Sequence, residues 1–280
     1  MLDSIQEILD RCRAEDVPFW RVVRASDMEQ RQVTAEASRE KMRQTWLAML
    51  ESEESYQARR RSLSGLAGGD GGKMRDFAAQ GHSLSGDYLS EVIAAALCVG
   101  EGNACMRKIV AAPTAGACGV LPAVLIPLYR KGKASEEKIL QALYVAAGIG
   151  AVISCRACIA GAAGGCQAEI GSACSMAAAG LAELFGMDLD QIEYAAEVAM
   201  EHHLGLTCDP IGGLVQIPCI ERNAVAAMRA INALSLANFL THTRKISFDM
   251  VVKTMYETGR DLFSKYRETS EGGLAKMYAE

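Results

Sequence analysis

The side chains able to do chemistry crowd into a few short stretches of this 280-residue sequence, and the densest runs from Ala199 to Asn223. It holds the adjacent His202 and His203, Cys208, Cys219, the Arg222-Asn223 pair and three acids, punctuated by Pro210, Gly212, Gly213 and Pro218. A helix ending near His203 is predicted, followed by irregular backbone from Gly205 through Asp209-Pro210. A further cysteine, Cys166, follows Gly164-Gly165. Each of these three cysteines adjoins a backbone breaker, which suits thiolates that must reach one inorganic centre from separate segments. The competing reading is three small apolar side chains in a core. Iron–sulfur clusters are normally held by four cysteines, so a set of three leaves an iron open to act as a Lewis acid on a hydroxyl or carboxylate. Cys155 and Cys158 have the C-x-x-C spacing of a chelating or redox pair, but no second pair accompanies them. They read as two buried thiols inside a helix.

Other stretches offer polar groups to a ligand. Gly81-His82-Ser83-Leu84-Ser85-Gly86-Asp87 precedes an apolar helix. Ser85 suits its N-cap and Asp87 its first turn. Alternatively, Ser83, Ser85 and free backbone N–H groups there receive a carboxylate. Thr114 lies between Pro113 and Gly116 in an apolar run, placed either to bond a ligand or to satisfy its own turn. The run Gly68-Gly69-Asp70-Gly71-Gly72 lacks the Walker pattern of a phosphate loop, and a flexible hinge is the expectation.

These stretches must be positioned by helices. Half the residues are hydrophobic but few are aromatic, so Ala, Gly, Met and Cys carry the packing. Strand-like alternation is scarce, and no internal repeat is evident. The predicted fold is all-α: a single catalytic domain over residues 65–280 with buried helices rich in small residues, preceded by a helical extension over 1–64. In the extension, Leu2, Ile5, Ile8 and Leu9 mark an amphipathic first helix. A charged helix follows, with Met42, Trp46, Leu47 and Leu50 as its stripe and Arg59-Arg60-Arg61 as its solvated end. Uncharged runs at 109–129 and 139–155 are read as buried rather than membrane-spanning, and Pro113, Pro122 and Pro127 should interrupt the first. Helices are predicted over 189–203, 224–240 and 248–266, with Ser270-Glu271-Gly272-Gly273 ending the ordered body. A net charge of −5 gives no footprint for nucleic acid. Ten cysteines in a long chain with an ample core and no secretory leader indicate reduced thiols in a cytoplasmic setting.

The blocks Gly164-Gly165-Cys166-Gln167-Ala168-Glu169-Ile170-Gly171 and Met200 to Asn223 resemble the catalytic chain of bacterial iron–sulfur L-serine dehydratases. Cys174-Ser-Met-Ala-Ala-Ala, Ala112-Pro-Thr-Ala-Gly-Ala-Cys-Gly and Gly81-His-Ser-Leu-Ser-Gly are similar to that family's other blocks. The resemblance implies a 4Fe–4S cluster, air-sensitive and held by Cys166, Cys208 and Cys219, that converts L-serine to pyruvate and ammonia by β-elimination of water. It further implies the α subunit of the two-chain type, since the Ser-Ser-His-Thr motif of the single-chain members is absent, with a separate β subunit as partner in a hetero-oligomer or a homodimer. The general base is expected to be His202 or His203, or a β-subunit histidine. Ser83, Ser85, Thr114 and Asn223 are the expected substrate contacts. Rival readings keep the cluster but change its task, to an L-cysteine desulfidase or a non-catalytic iron–sulfur sensor. A pyridoxal-phosphate enzyme is disfavoured because neither Lys73 nor Lys108 sits in a recognisable Schiff-base context.

Overall fold

The computed structural model describes residues 2–81, 83–239 and 245–279. Among the described residues the chain is helical throughout, and its sole strand-like pairing is an isolated bridge between Cys208 and Arg267. Three helices open it: α1 (Ile5–Glu15), α2 (Phe19–Arg31) and α3 (Ala35–Glu54). α4 (Asp70–Ala79), α5 (Gly86–Ala104), α6 (Val120–Arg130) and α7 (Glu136–Arg156) follow. Then come the single turn α8 (Gly161–Gly164), α9 (Ser172–Leu184), α10 (Leu189–Glu201) and α11 (Cys219–Phe239). α12 (Phe248–Asp261) and α13 (Gly273–Ala279) close the chain.

α9 is the axis. Every residue from Ser172 to Glu183 is buried, and α6, α7, α10 and α11 pack around it. Small side chains make this enclosure feasible: a Cβ on Gly180 would lie 3.0 Å from Ala142 O in α7. The few polar groups on α9 are satisfied by neighbouring backbone, Cys174 Sγ donating to Ala226 O at 3.2 Å and Ser175 Oγ to Ala196 O at 2.8 Å. α7 is long and apolar enough to cross a membrane by length and composition. Here it is packed against α2, α3 and α9.

The N-terminal helices contribute Ile5, Ile8, Leu9, Phe19, Trp46 and Met49 to the same core as α6, α7 and α9. On α3 the inward stripe is Trp46 and Met49, with Leu47 turned to solvent at 40% exposure. Arg59–Arg61 lie in exposed turns beyond the end of α3 rather than on it. Pro113 interrupts the 109–129 run as predicted, lying in irregular backbone ahead of the 3-10 turn Ala115–Ala117, but the other two prolines do not. Pro122 falls in the first turn of α6, where no intrahelical N–H is needed, and Pro127 is carried inside the helix. Tyr88 Oη donates to Val124 O at 3.0 Å in the same turn. The apolar segment predicted over 224–240 starts earlier, at Cys219, and its last residue, Leu240, lies outside the described residues.

Candidate active site

The three cysteines arrive on three different pieces of backbone. Cys166 immediately precedes a π-helical turn, Gln167–Gly171, that leads directly into α9. Such turns are uncommon and recur at functional sites. The fully buried Gln167 anchors this one: its Nε2 donates to Gly164 O and Met255 O (2.9 and 3.1 Å), and its Oε1 accepts from Gly205 N at 2.9 Å. Cys219 is the first residue of α11. Cys208 is held by the chain's C-terminal segment, donating through its N–H to Tyr266 O (2.9 Å) and accepting from Glu268 N (2.7 Å). All three are buried. Two thus stand at the positive ends of helical stretches, where a thiolate or an anionic cluster is favoured.

The thiols share one electrostatic neighbourhood. Cys166 is held below the usual thiol range because Cys208 donates to it and Arg222 lies beside it. Cys208 is pushed up, since its proton is held by Cys166 and the group is buried. Cys219 is pushed up to about 12, first by burial and then by the negative charge of Cys166 and Glu169. Arg222 is fixed by Thr207 O and Asp209 Oδ1, both at 2.8 Å. The other oxygen of Asp209 accepts from Leu274 N, also at 2.8 Å, which caps the start of α13. Ser270 Oγ donates to Pro210 O at 2.8 Å. The ordered body therefore does not end at Ser270–Gly273 as predicted: residues 262–279 form a strap over the Cys208 loop.

Two carboxylates face the same space. Glu169 accepts from Thr114 Oγ1, and burial pushes its carboxyl up, with the charge of Glu268 adding to the effect. Gly161 and Gly116 keep room for them. A Cβ built on Gly161 would lie 2.9 Å from Cys208 Sγ, 3.3 Å from Glu268 Oε2 and 3.5 Å from Glu169 Oε2, so these three atoms converge on one point. A Cβ on Gly116 would lie 2.7 Å from Glu169 Oε1. Among the described residues no three His, Cys, Asp or Glu side chains gather tightly enough for a single metal ion. A cluster makes a different demand, because its thiolates bind separate irons.

Residues 14–275 match the family model described as the serine dehydratase alpha chain. The chain belongs to the serine dehydratase alpha-chain family. It is similar to L-serine dehydratase TdcG of Escherichia coli (strain K12), 55% identical over 181 residues, which is 64% of this chain and 40% of that protein. An L-serine dehydratase of Haemophilus influenzae is 54% identical over the same shares. One from Helicobacter pylori (strain ATCC 700392 / 26695) is 52% identical over 194 residues, 68% of this chain and 42% of that protein. The chain thus spans about 40% of the length of these curated relatives.

The other polar residues of this alpha chain are distributed unevenly about the thiols. Asn223 is buried and internal: it accepts from Gly119 N (2.8 Å) and donates to Gly116 O (2.6 Å) and Cys219 O (2.7 Å), bracing the first turn of α11. Thr114 serves Glu169. His203 is buried behind the π-turn, where a Cβ on Gly171 would lie 3.0 Å from its own Cβ. Its Nδ1 pairs with Ala199 O at 2.7 Å, and burial lowers its pKa to about 4. His202 is exposed, its Nδ1 paired with Val198 O at 2.8 Å. Ser83 accepts from Ser85 N at 3.2 Å, and Ser85 makes no side-chain cap on α5. His82 lies outside the described residues. Cys155 is exposed at the end of α7, not buried as predicted, and Cys158 is half-buried.

The glycine run is neither a hinge nor a free phosphate cradle. Glu101, itself buried, accepts from the backbone N–H groups of Gly69, Asp70 and Gly71 at 2.8–3.1 Å and from Tyr56 Oη. An internal carboxylate therefore caps α4 where an external anion would have to bind. A cavity of about 610 Å³ between α4, α5 and α6 contains none of the cysteines. Its cations are already matched: Arg75 and Arg130 pair with Glu53, and Lys131 with Glu91. Sequence reasoning missed Arg222 with Asp209, and Glu268. The only sequence signal was the closeness of Asp209 and Arg222 to two candidate ligands.

Proposed function

We propose that this chain is the cluster-bearing part of an L-serine dehydratase, converting L-serine to pyruvate and ammonia in the cytoplasm and acting with a second chain, the β subunit. What supports this reading is the gathering of Cys166, Cys208 and Cys219 about Arg222 within a member of the serine dehydratase alpha-chain family. The donor set fits a 4Fe–4S cluster. Three buried sulfurs come from separate segments, two from the starts of helical stretches, with an arginine to offset thiolate charge. When bound, the cluster supplies a Lewis-acidic iron for the departing hydroxyl.

The chain's own residues handle placement. Arg222, braced by Asp209, favours the ionised form of Cys166. Asn223 and Gln167 fix the two helical starts that carry Cys219 and Cys166. Buried side chains around the thiols exclude water from the reacting centre. A general base at neutral pH needs a pKa near the working pH. At about 4, His203 falls well short of that, and its Nδ1 is committed to Ala199 O. His202 lies on an exposed face, and its Nδ1 bond to Val198 O leaves Nε2 as the acceptor. The reading therefore leaves His203 a structural role and assigns removal of the Cα proton to His202 Nε2 or to a group of the β subunit.

The test is anaerobic co-purification with the neighbouring β chain, followed by parallel assays on L-serine and L-cysteine. Pyruvate from serine that disappears on exposure to air supports the reading. Sulfide from cysteine without pyruvate from serine overturns it, as does full serine turnover in protein free of iron.

A further inference from the structure

The carboxylate pair Glu169 and Glu268 is left over once the cysteines and Arg222 have their roles. Both are half-buried, and they are arranged unlike the buried acids Glu101, Glu53 and Asp209. Glu101 is capped by three N–H groups and a hydroxyl, Glu53 by two arginines, and Asp209 by Arg222 and a helix start. Glu169 has its Oε1 held by Thr114, while its Oε2 and Glu268 Oε2 both approach the empty position beside Gly161, next to Cys208 Sγ. Glu268 reaches that position from backbone at φ 63°, a left-handed conformation that non-glycine residues seldom adopt. Two carboxylates directed at one point repel one another unless one keeps its proton or a cation sits between them. The nearby cation, Arg222, is already committed to Thr207 O, Asp209 and Cys166.

We infer that Glu169 and Glu268 form the seat for the α-ammonium group of the amino-acid substrate, with Glu169 as the principal contact and Thr114 as the residue that aims it. This rests on the functional reading above and extends it: the site would select α-amino acids over hydroxy acids of the same shape. Glu169 is only partly buried, so one side of its carboxylate remains open to an incoming group. Both glycines that frame it, Gly116 and Gly161, leave space that any side chain would fill.

The experiment uses the anaerobic two-chain holoenzyme with wild-type, Glu169→Gln and Glu268→Gln alpha chains. Iron content is measured first. Binding of L-serine and of 3-hydroxypropionate, which is serine without its amino group, is then followed by the change each makes in the electron paramagnetic resonance spectrum of the dithionite-reduced cluster. Glu169→Gln should keep its iron and weaken serine binding and raise KM by roughly ten- to hundredfold, as for a lost charged hydrogen bond. It should change kcat little and leave 3-hydroxypropionate binding within about twofold of wild type. Glu268→Gln should shift the same ratio in the same direction by less, and serves as the reporter if Glu169→Gln does not fold. Equal losses for both ligands, no loss for either, a fall in kcat at unchanged KM, or loss of iron would each overturn the inference while leaving the functional reading in place. A wild-type holoenzyme that neither binds nor turns over serine would overturn both.

Discussion

Two regions of this chain use the same residue types for opposite ends. Around α9, cysteine, serine and glycine are consumed by packing: Cys174 bonds Ala226 O, Ser175 bonds Ala196 O, and Gly180 lets α7 approach. At the corner where the π-turn, the Cys208 loop and the start of α11 meet, cysteines and glycines leave valence and space unused. Cys166, Cys208 and Cys219 keep ligand-competent sulfurs, and Gly161 and Gly116 keep a void beside two carboxylates. Residue type alone therefore does not mark which thiols gather at the corner. Cys174 lies inside a regular helix, whereas Cys166, Cys208 and Cys219 sit where regular backbone starts or stops, as do Cys105 and Cys118.

That contrast can be broken experimentally. The largest stability effect should come from the corner, because it holds charge away from water. Asp209→Ala strands Arg222 and uncaps α13, and should cost about 3–5 kcal/mol in denaturant unfolding. It should also speed amide exchange across residues 262–279. A cost below about 1 kcal/mol would mean that the strap does not depend on this pair. The next effect is pH-dependent. The folded pKa of His203 is lowered to about 4 from 6.5, so between these values the unfolded chain binds the extra proton and stability rises with pH. Its contribution is fully present above pH 6.5 and is lost as the pH falls toward 4, an effect on the order of 3 kcal/mol. His203→Asn should flatten that part of a stability–pH curve.

Paired glycine substitutions sharpen the comparison further. Gly180→Ala drives a methyl to 3.0 Å from Ala142 O, a backbone atom, and should cost about 1–3 kcal/mol without altering iron content. Gly161→Ala meets only side-chain ends, among them Cys208 Sγ, which can rotate aside in the metal-free chain. Its unfolding free energy should change by less than about 1 kcal/mol. It should nonetheless fail to take up iron, because the methyl lies 2.9 Å from Cys208 Sγ, which must stay in place to ligate. Equal behaviour of the two variants in both assays would remove the distinction between the regions.

Much of the architecture was legible. Small-residue composition and the scarcity of strand alternation gave an all-α fold, and the helix predicted over 189–203 is α10, which ends two residues earlier, at Glu201. Two prolines misled because their penalty depends on position, as Pro122 in the first turn of α6 demonstrates, and because a helix can carry one inside it, as α6 carries Pro127. Of the site, sequence nominates the cysteine trio because each adjoins a breaker, and the structure brings the three buried thiols into one electrostatic neighbourhood. The roles of Asn223 and Thr114 could not be read, since a polar side chain that braces backbone looks the same in sequence as one that faces a ligand. Glu268 was invisible for a different reason: it falls between the helix predicted over 248–266 and the Ser270–Gly273 stop, where no motif marks it. Its partner across the site, Glu169, is 99 positions earlier in the chain.

The central claim is that Cys166, Cys208 and Cys219, and no other cysteines, hold one metal centre. Iron and acid-labile sulfide should be quantified in anaerobically reconstituted protein carrying Cys→Ala changes at 166, 208, 219, 155, 158 and 174. About four irons and four sulfides per chain are expected in the wild type and in the last three variants, with near-complete loss in each of the first three. Full retention in any one of the first three, or loss confined to 155 and 158, would contradict it.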